Sequence, residues 1–415
     1  MDTVVRPAQT MSRTMPRTMP RTMPRTTTRR MAALVASAAV ALVGVLVAPE
    51  GAHADGSRLP LPAPKTFSGG RYAANPANPL AGGSWAVNNG FWENGHGLYT
   101  DYLASSGTTR DYLGRAALQP AALWMTGNNS FATTKVPDYL RTVNPTGDPS
   151  MLVQIAVFGL WPRGEAARHT PLTAAEQVHY RTWIQRVSAG IGGSRVLIAL
   201  EPDLAITTNP SHVDGVRDPR VRQGLARYAA KYFHDHNPRA VVYLDAGASD
   251  WLSPSQAAGL LKRSGVQYTR GFSLDVTHYT KAPDNISHGA AVVRALAERG
   301  IRGKHFVVDT ADSGRGYTYS QWSRRYGAAS YDNSRNCPHA RARLCNALGV
   351  PPTWQVVQPA YVRALGLSSA QVRAARRSVD AYVWLTRPWM YNQASPYQHG
   401  KALPAAQFTP FASLF

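Results

Sequence analysis

Val196-Leu197-Ile198-Ala199-Leu200-Glu201-Pro202-Asp203 decides how the rest of this chain is read. A short apolar, partly β-branched run is the signature of a buried strand, and this one stops abruptly at two carboxylates around a proline. Charge at the end of a buried strand has two explanations. Either Glu201 and Asp203 cap the next element, or they stand in a cleft and do chemistry, since the C-terminal strand ends carry the chemistry in a (β/α) barrel. The octapeptide alone leaves the two explanations even, with Asp203 the residue expected to work in a cleft.

Outward from this stretch the pattern repeats. Apolar runs at Ala121 to Met125, Leu152 to Gly159, Ala240 to Ala246, Gly271 to Val276, His305 to Asp309 and Ala381 to Leu385 read as further strands. Between them lie amphipathic, Ala/Arg-rich stretches, such as Gln177 to Ala189, Arg222 to His234, Ser255 to Arg263 and Gly289 to Arg299, that read as helices. Such alternation predicts an α/β fold with a parallel sheet and covering helices. Seven strands favour a TIM-like barrel, complete or incomplete, over a doubly wound sheet.

Carboxylates recur where these strands end: Asp203, then Asp245, Asp275 and Asp309. Any one of them is an ordinary loop acid, but parallel strands deliver successive ends to one rim. A rim of acids without clustered His or Cys fits carbohydrate hydrolysis, in which one carboxyl protonates the leaving oxygen and another handles water or the sugar. Metal binding by the same acids is the weaker reading, and neither a metal nor a cofactor is expected.

The ends and the charge bound the partners. Residues 15–26 are a Met-Pro-Arg-Thr tetrapeptide repeated three times, Arg29-Arg30 precede an apolar run from Met31 to Val47, and Ala52-His53-Ala54 offers small residues for cleavage. Residues 1–54 are therefore expected to be a signal peptide with an Arg-rich extended n-region, making the mature chain secreted, with no transmembrane anchor. Residues 55–75, with Pro60, Pro62, Pro64 and Gly69-Gly70, read as a Pro/Gly-rich linker before a single domain over 76–415. The formal net charge is +21 at pH 7, and it remains +16 once residues 1–54 are set aside. The Arg residues are spread over predicted helices without a nucleic-acid motif, so a cationic surface or attraction to an anionic envelope is expected rather than nucleic-acid binding. The two cysteines, Cys337 and Cys345, are expected to be bridged in an exported protein.

With those blocks in place, the chain resembles glycoside hydrolase family 6, the inverting cellobiohydrolases and endoglucanases. Ala199-Leu200-Glu201-Pro202-Asp203-Leu204-Ala205 is similar to the family's "EPD" signature. Tyr243-Leu244-Asp245-Ala246-Gly247 with Trp251, Gly271 to Asp275, Phe306 to Thr310, Cys345-Asn346 and Asp380 to Trp384 are similar to later blocks, in order, and Asn78-Pro79-Leu80 with Trp85 to the opening segment. The resemblance implies a distorted seven-stranded parallel (β/α) barrel acting as a monomer on β-1,4-glucan. It implies Asp203 as general acid, Asp245 as its supporting neighbour, Trp85 and Trp251 as sugar platforms, and Asp275 and Arg163 at the substrate.

The chain also departs from the family. Gly164 stands where the family has an Asp, leaving Glu165 as the candidate replacement for the carboxylate that tunes the acid and handles water. The C-terminal loop reads Thr386-Arg387-Pro388-Trp389-Met390-Tyr391-Asn392, in which Thr386 replaces a Lys and Asn392 an Asp, so Trp389 and Asn392 become candidate substrate contacts. Cys345 lacks its family partner, which makes the local bridge to Cys337 the replacement. Two functions follow: a glucanase, or a non-catalytic or very slow glucan-binding protein of the envelope.

Overall fold

The computed structural model describes residues 60–68, 77–88, 97–127, 129–208, 215–394 and 396–415. The expected leader and most of the expected linker lie outside them. Seven strands form one parallel sheet in sequence order: β1 (Leu123–Thr126), β2 (Val153–Phe158), β3 (Val196–Leu200), β4 (Ala240–Asp245), β5 (Gly271–Leu274), β6 (His305–Asp309) and β7 (Val379–Val383). The helices are α1 (Leu98–Ala104), α2 (Gly107–Ala117), α3 (Asn129–Val143), α4 (Ala174–Ile191), α5 (Pro219–His236), α6 (Pro254–Arg263), α7 (Ala282–Glu298), α8 (Tyr319–Tyr326), α9 (Pro359–Leu365), α10 (Ser369–Ser378) and α11 (His399–Gln407).

Both faces of the sheet are apolar, as parallel strands covered on two sides require. Leu197, Ala199, Val241, Tyr243, Val307, Ala381 and Val383 pack inside the curl, while Ile198, Leu200, Val242, Leu244, Phe272, Phe306 and Val308 pack outward against the helices. Capping boxes fix the starts of α4 (Thr173, Glu176), α6 (Ser253, Gln256), α8 (Thr318, Gln321) and α10 (Ser368, Gln371). The curl does not zip shut. No ladder joins β7 to β1; Ala122 N–H donates to the Trp384 carbonyl at 2.8 Å and the Trp124 indole donates to that of Leu385 at 2.8 Å. The result is the expected distorted barrel.

Strand ends differ from expectation where the backbone turns. β3 ends at Leu200 because Glu201 has φ +55°, and β5 ends at Leu274 because Asp275 has φ +71°. β7 lies two residues earlier than expected, and its pairing with β6 slips by one residue between Phe306 and Val307. That slip accommodates Asp380, which is fully buried and takes two bonds from Arg270, Nε to Oδ2 at 2.8 Å and Nη2 to Oδ1 at 3.0 Å, plus the Tyr243 hydroxyl at 2.8 Å.

The N-terminal end of the barrel is plugged by Trp85. It is fully buried, pairs its backbone with Lys65 and Leu152, and meets the Phe67 ring edge-on at 5.1 Å. Trp85 is thus part of the core and not a sugar platform. Its own neighbours explain the burial: Leu80, Leu152 and Trp354 close around it. Within the expected linker, Lys65 and Phe67 therefore pack on the barrel.

Candidate active site

Glu201 and Asp203, two residues apart, face different surroundings. Both sit in left-handed backbone, with φ +55° and +65°, a conformation that costs a non-glycine residue energy and collects at functional turns. Glu201 is fully buried and accepts the Gly159 N–H at 3.0 Å, the Leu160 N–H at 3.1 Å and the Tyr180 hydroxyl at 2.7 Å. Burial lifts its pKa to about 7, against the pull of those donors. It clamps the end of β2 to the end of β3. Gly159 has no room for a side chain there, since a Cβ would stand 2.4 Å from the Trp183 ring. Glu201 thus closes the end of the preceding strand rather than capping the next element, while Asp203 stands in the cleft.

Asp203 opens into a cavity of about 370 Å³. Thr277 Oγ1 lies 3.0 Å from its Oδ1. Burial raises the Asp203 pKa well above the carboxylate range, and the Glu165, Asp245 and Asp332 carboxylates raise it further, so the acid holds its proton at a pH where an exposed Asp has lost it. Asp245, at the end of β4, is buried with its Oδ2 on the Gly247 N–H at 3.2 Å, and burial lifts it to about 7.

Glu165 and Asp332 line the same cavity. The surrounding protein raises the Glu165 pKa, Asp332 raises it again, and Arg168, also lining the cavity, pulls it down. Trp251 and Asn392 are the other expected residues that line it, whereas Asp245 acts on Asp203 by its charge without lining the cavity; one face of the Trp251 indole stacks on His278 at 4.3 Å.

Three expectations fail at this cavity. Arg163 is turned away to the surface, where its Nε pairs with Glu176 at 2.8 Å beside the start of α4. Asp275 is fully buried, its Oδ1 taking the Thr280 hydroxyl at 2.5 Å and N–H at 3.1 Å; the left-handed turn after β5 directs it into the protein. Trp389 is buried against Trp384, with ring centres 6.2 Å apart, among Leu98, Leu348 and Ala402. None of the three lines the cavity.

Sequence reasoning missed Asp332, Thr277, Arg168, His278, Tyr319 and Tyr331. Asp332, Tyr319 and Tyr331 come from the segment between β6 and β7, anchored by the Cys337–Cys345 disulfide and by a cluster of Tyr279, Tyr317, Trp322 and Tyr331. The one signal available was an unusual density of tyrosines in a connection closed by a Cys pair. Thr386, where the resembling family has Lys, gives its N–H and hydroxyl to Asp309 Oδ2, each at 2.6 Å, and accepts the Thr277 N–H at 2.8 Å. Among the described residues no group of three or more His, Cys, Asp or Glu is arranged to hold a metal ion, and no helix is long and apolar enough to cross a membrane.

This geometry can be set beside known proteins. The chain is 32% identical over 234 residues to endoglucanase A of Cellulomonas fimi, covering 56% of this chain and 48% of that one. It is 30% identical over 176 residues to endoglucanase 1 of Streptomyces halstedii, covering 42% and 53%. The match thus spans about half the length of these relatives. The fold superposes on the endoglucanase Cel6 of Mycobacterium tuberculosis, solved with a methyl-cellobiosyl thio-cellobioside, with a TM-score of 0.58 at 25% identity over 80% of this chain and 99% of that one. Residues 93–389 match the family described as Glycosyl hydrolases family 6, and the chain belongs to that family.

Proposed function

We propose that this chain is an exported β-1,4-glucanase that hydrolyses its substrate with inversion at the Asp203 cavity. The observation that carries the reading is Asp203 itself: an acid on a strained turn, its proton retained by burial and neighbouring carboxylates, opening into a cavity that holds further carboxylates. In this reading Asp203 gives its proton to the interglycosidic oxygen as the C1–O bond breaks. Water attacks C1 from the opposite face and loses a proton to the Glu165–Asp332 pair, which is the step that gives inversion. Asp245 supports the positive charge that develops on the ring, and Trp251 supplies a platform for an apolar sugar face. The relatives' endoglucanase activity supports the substrate class.

The test is incubation of the chain with cello-oligosaccharides, following product anomers by proton NMR, beside the Asp203→Asn variant. Fresh α-anomer from the wild type and a loss of at least about a thousandfold in the variant, with oligosaccharide binding kept, support the reading. Equal hydrolysis by the two proteins sinks it. Binding without hydrolysis by the wild type assigns the chain to glucan binding instead.

A further inference from the structure

The turn that carries Asp203 has a second side. Residues Leu204–Thr208 form a 3-10 helix directly after it; Ile206 lines the Asp203 cavity, whereas Thr207 and Thr208 line a separate cavity of about 840 Å³ between α5 and α6. Five cations line it, Arg220, Arg227, Lys262, Arg263 and Arg299, and none of the described lining residues is acidic. Among the described residues, none of the five takes part in an ion pair. Their mutual repulsion is felt: burial, then the charge of Arg220, lowers the Arg263 pKa. Two helix N-termini add to the positive field, because Pro219 and Arg220 open α5, Ser255 and Gln256 lie in the first turn of α6, and all four line the cavity. No side chain caps α5, whose N-cap residue Asp218 is itself left-handed.

We propose that this cavity is an anion site for a polyol-phosphodiester polymer. Four of the five cations are Arg, whose planar fork suits phosphate oxygens. Thr208, Ser255 and Gln256 offer hydroxyl and amide groups for polyol hydroxyls. Among the described residues the lining has no aromatic ring on which a base would stack, and the charge is gathered in one concavity rather than along a stripe, which disfavours single-stranded and duplex nucleic acid. The site connects to the catalytic turn through hydrogen bonds: Arg263 Nε donates to Gln223 Oε1 at 2.8 Å, and Gln223 Nε2 donates to Thr207 Oγ1 at 3.0 Å. A chain bound here would therefore hold the enzyme to an anionic polyol surface with the Asp203 cavity on the other side of the same turn.

The experiment titrates the full chain with a fluorescent poly(glycerol phosphate) oligomer at several salt concentrations, with polygalacturonate and an oligothymidylate as comparison probes. Arg220→Ala/Lys262→Ala is set against Arg376→Ala/Arg377→Ala, an exposed pair on α10 that removes the same charge elsewhere. The expected result is a Kd for poly(glycerol phosphate) raised about tenfold or more by the first pair and less than about threefold by the second. The slope of log Kd against log salt should fall by about 1 to 2 for the first pair, while hydrolysis of soluble cello-oligosaccharide stays at the wild-type rate in both. Equal weakening by the two pairs, absence of binding by the wild type, or tighter binding of polygalacturonate or the oligothymidylate would each overturn the proposal.

Discussion

The Thr277 hydroxyl lies 3.0 Å from Asp203 Oδ1 and 2.6 Å from the Val276 carbonyl oxygen. A hydroxyl has one hydrogen and two lone pairs. When Asp203 is ionised, Thr277 donates to it; when Asp203 is protonated, Thr277 donates to Val276 and accepts from the acid. One side chain thus serves both protonation states. Thr277 does so from φ +62°, an outlying conformation for a β-branched residue, held by the bond from its N–H to Thr386.

Thr277→Ser keeps the hydroxyl and should stay within about threefold of the wild-type kcat/KM. Thr277→Val keeps the shape and should lose at least about tenfold. Because the hydroxyl lowers the Asp203 pKa, the alkaline limb of the Val variant's pH profile should move to higher pH. Thr277→Gly relieves the backbone and should lose activity as Val does without a fall in Tm. A Gly variant with wild-type kinetics would reduce Thr277 to a structural role.

Burial raises the proton affinity of both Glu165 and Asp332, and the Asp332 charge raises that of Glu165 further, so they should titrate as a pair. Asp332→Asn removes a charge that raises Glu165, and the acidic limb of kcat should move to lower pH. Glu165→Gln and Asp332→Asn should each cost about 10- to 100-fold in kcat, and the double variant should cost less than the product. Strict multiplication of the two losses would show that they do not act together on water.

Stability should fall as pH rises from about 5 to 7.5. Burial lifts Glu201 and Asp245 to about 7 and Asp309 to about 6, above their unfolded values, and it lifts Asp275 and Asp312 as well. A carboxyl with a raised folded pKa favours the folded state fully below its unfolded pKa, and that contribution is lost as pH climbs through the folded one. His288, lowered by burial to about 4, and His305, lowered by burial, work in the opposite direction as pH falls below 6.5, as does Lys65, lowered by burial to about 7, at the upper end of the interval, but these are three groups against five. Tm measured by calorimetry should therefore be higher at pH 5 than at pH 7.5, and Asp312→Asn should flatten the difference. A Tm that rises across this interval would contradict the raised proton affinity of these acids.

The Cys337–Cys345 disulfide closes a short loop next to the segment that delivers Asp332. Replacing both cysteines by Ser should cost about 2 to 3 kcal/mol in denaturant unfolding. It should also lower kcat more than it raises KM, because the loosened segment carries a carboxylate and not Trp251, the proposed sugar platform. Unfolding curves that superpose on the wild type would remove the disulfide from the stability of this region.

The alternation of apolar runs with amphipathic stretches was enough to place all seven strands, and Leu197 to Glu201 announced a buried strand with a charged end, because burial patterns are local and periodic. The order of the motif blocks was enough for the family. The Cys pair was legible from its number and the expected export. What stayed hidden depended on direction. Glu201 and Asp203 are two residues apart and of one chemical type, yet left-handed turns send one into a clamp on Gly159 and Leu160 and the other into the cavity. Trp85 and Trp389 occupy motif positions but are enclosed by residues far away in the chain, Trp354 and Leu98 among them. Asp332 reaches Asp203's cavity from a connection with no strand-end periodicity to mark it. Periodicity thus determined the barrel, and the ordered motif blocks gave the family and, by resemblance, Asp203 as the expected acid, since those rest on short-range pattern. Tertiary structure alone decided which carboxylates share the acid's surroundings, because that depends on the sign of a few backbone angles and on loops brought together across the rim.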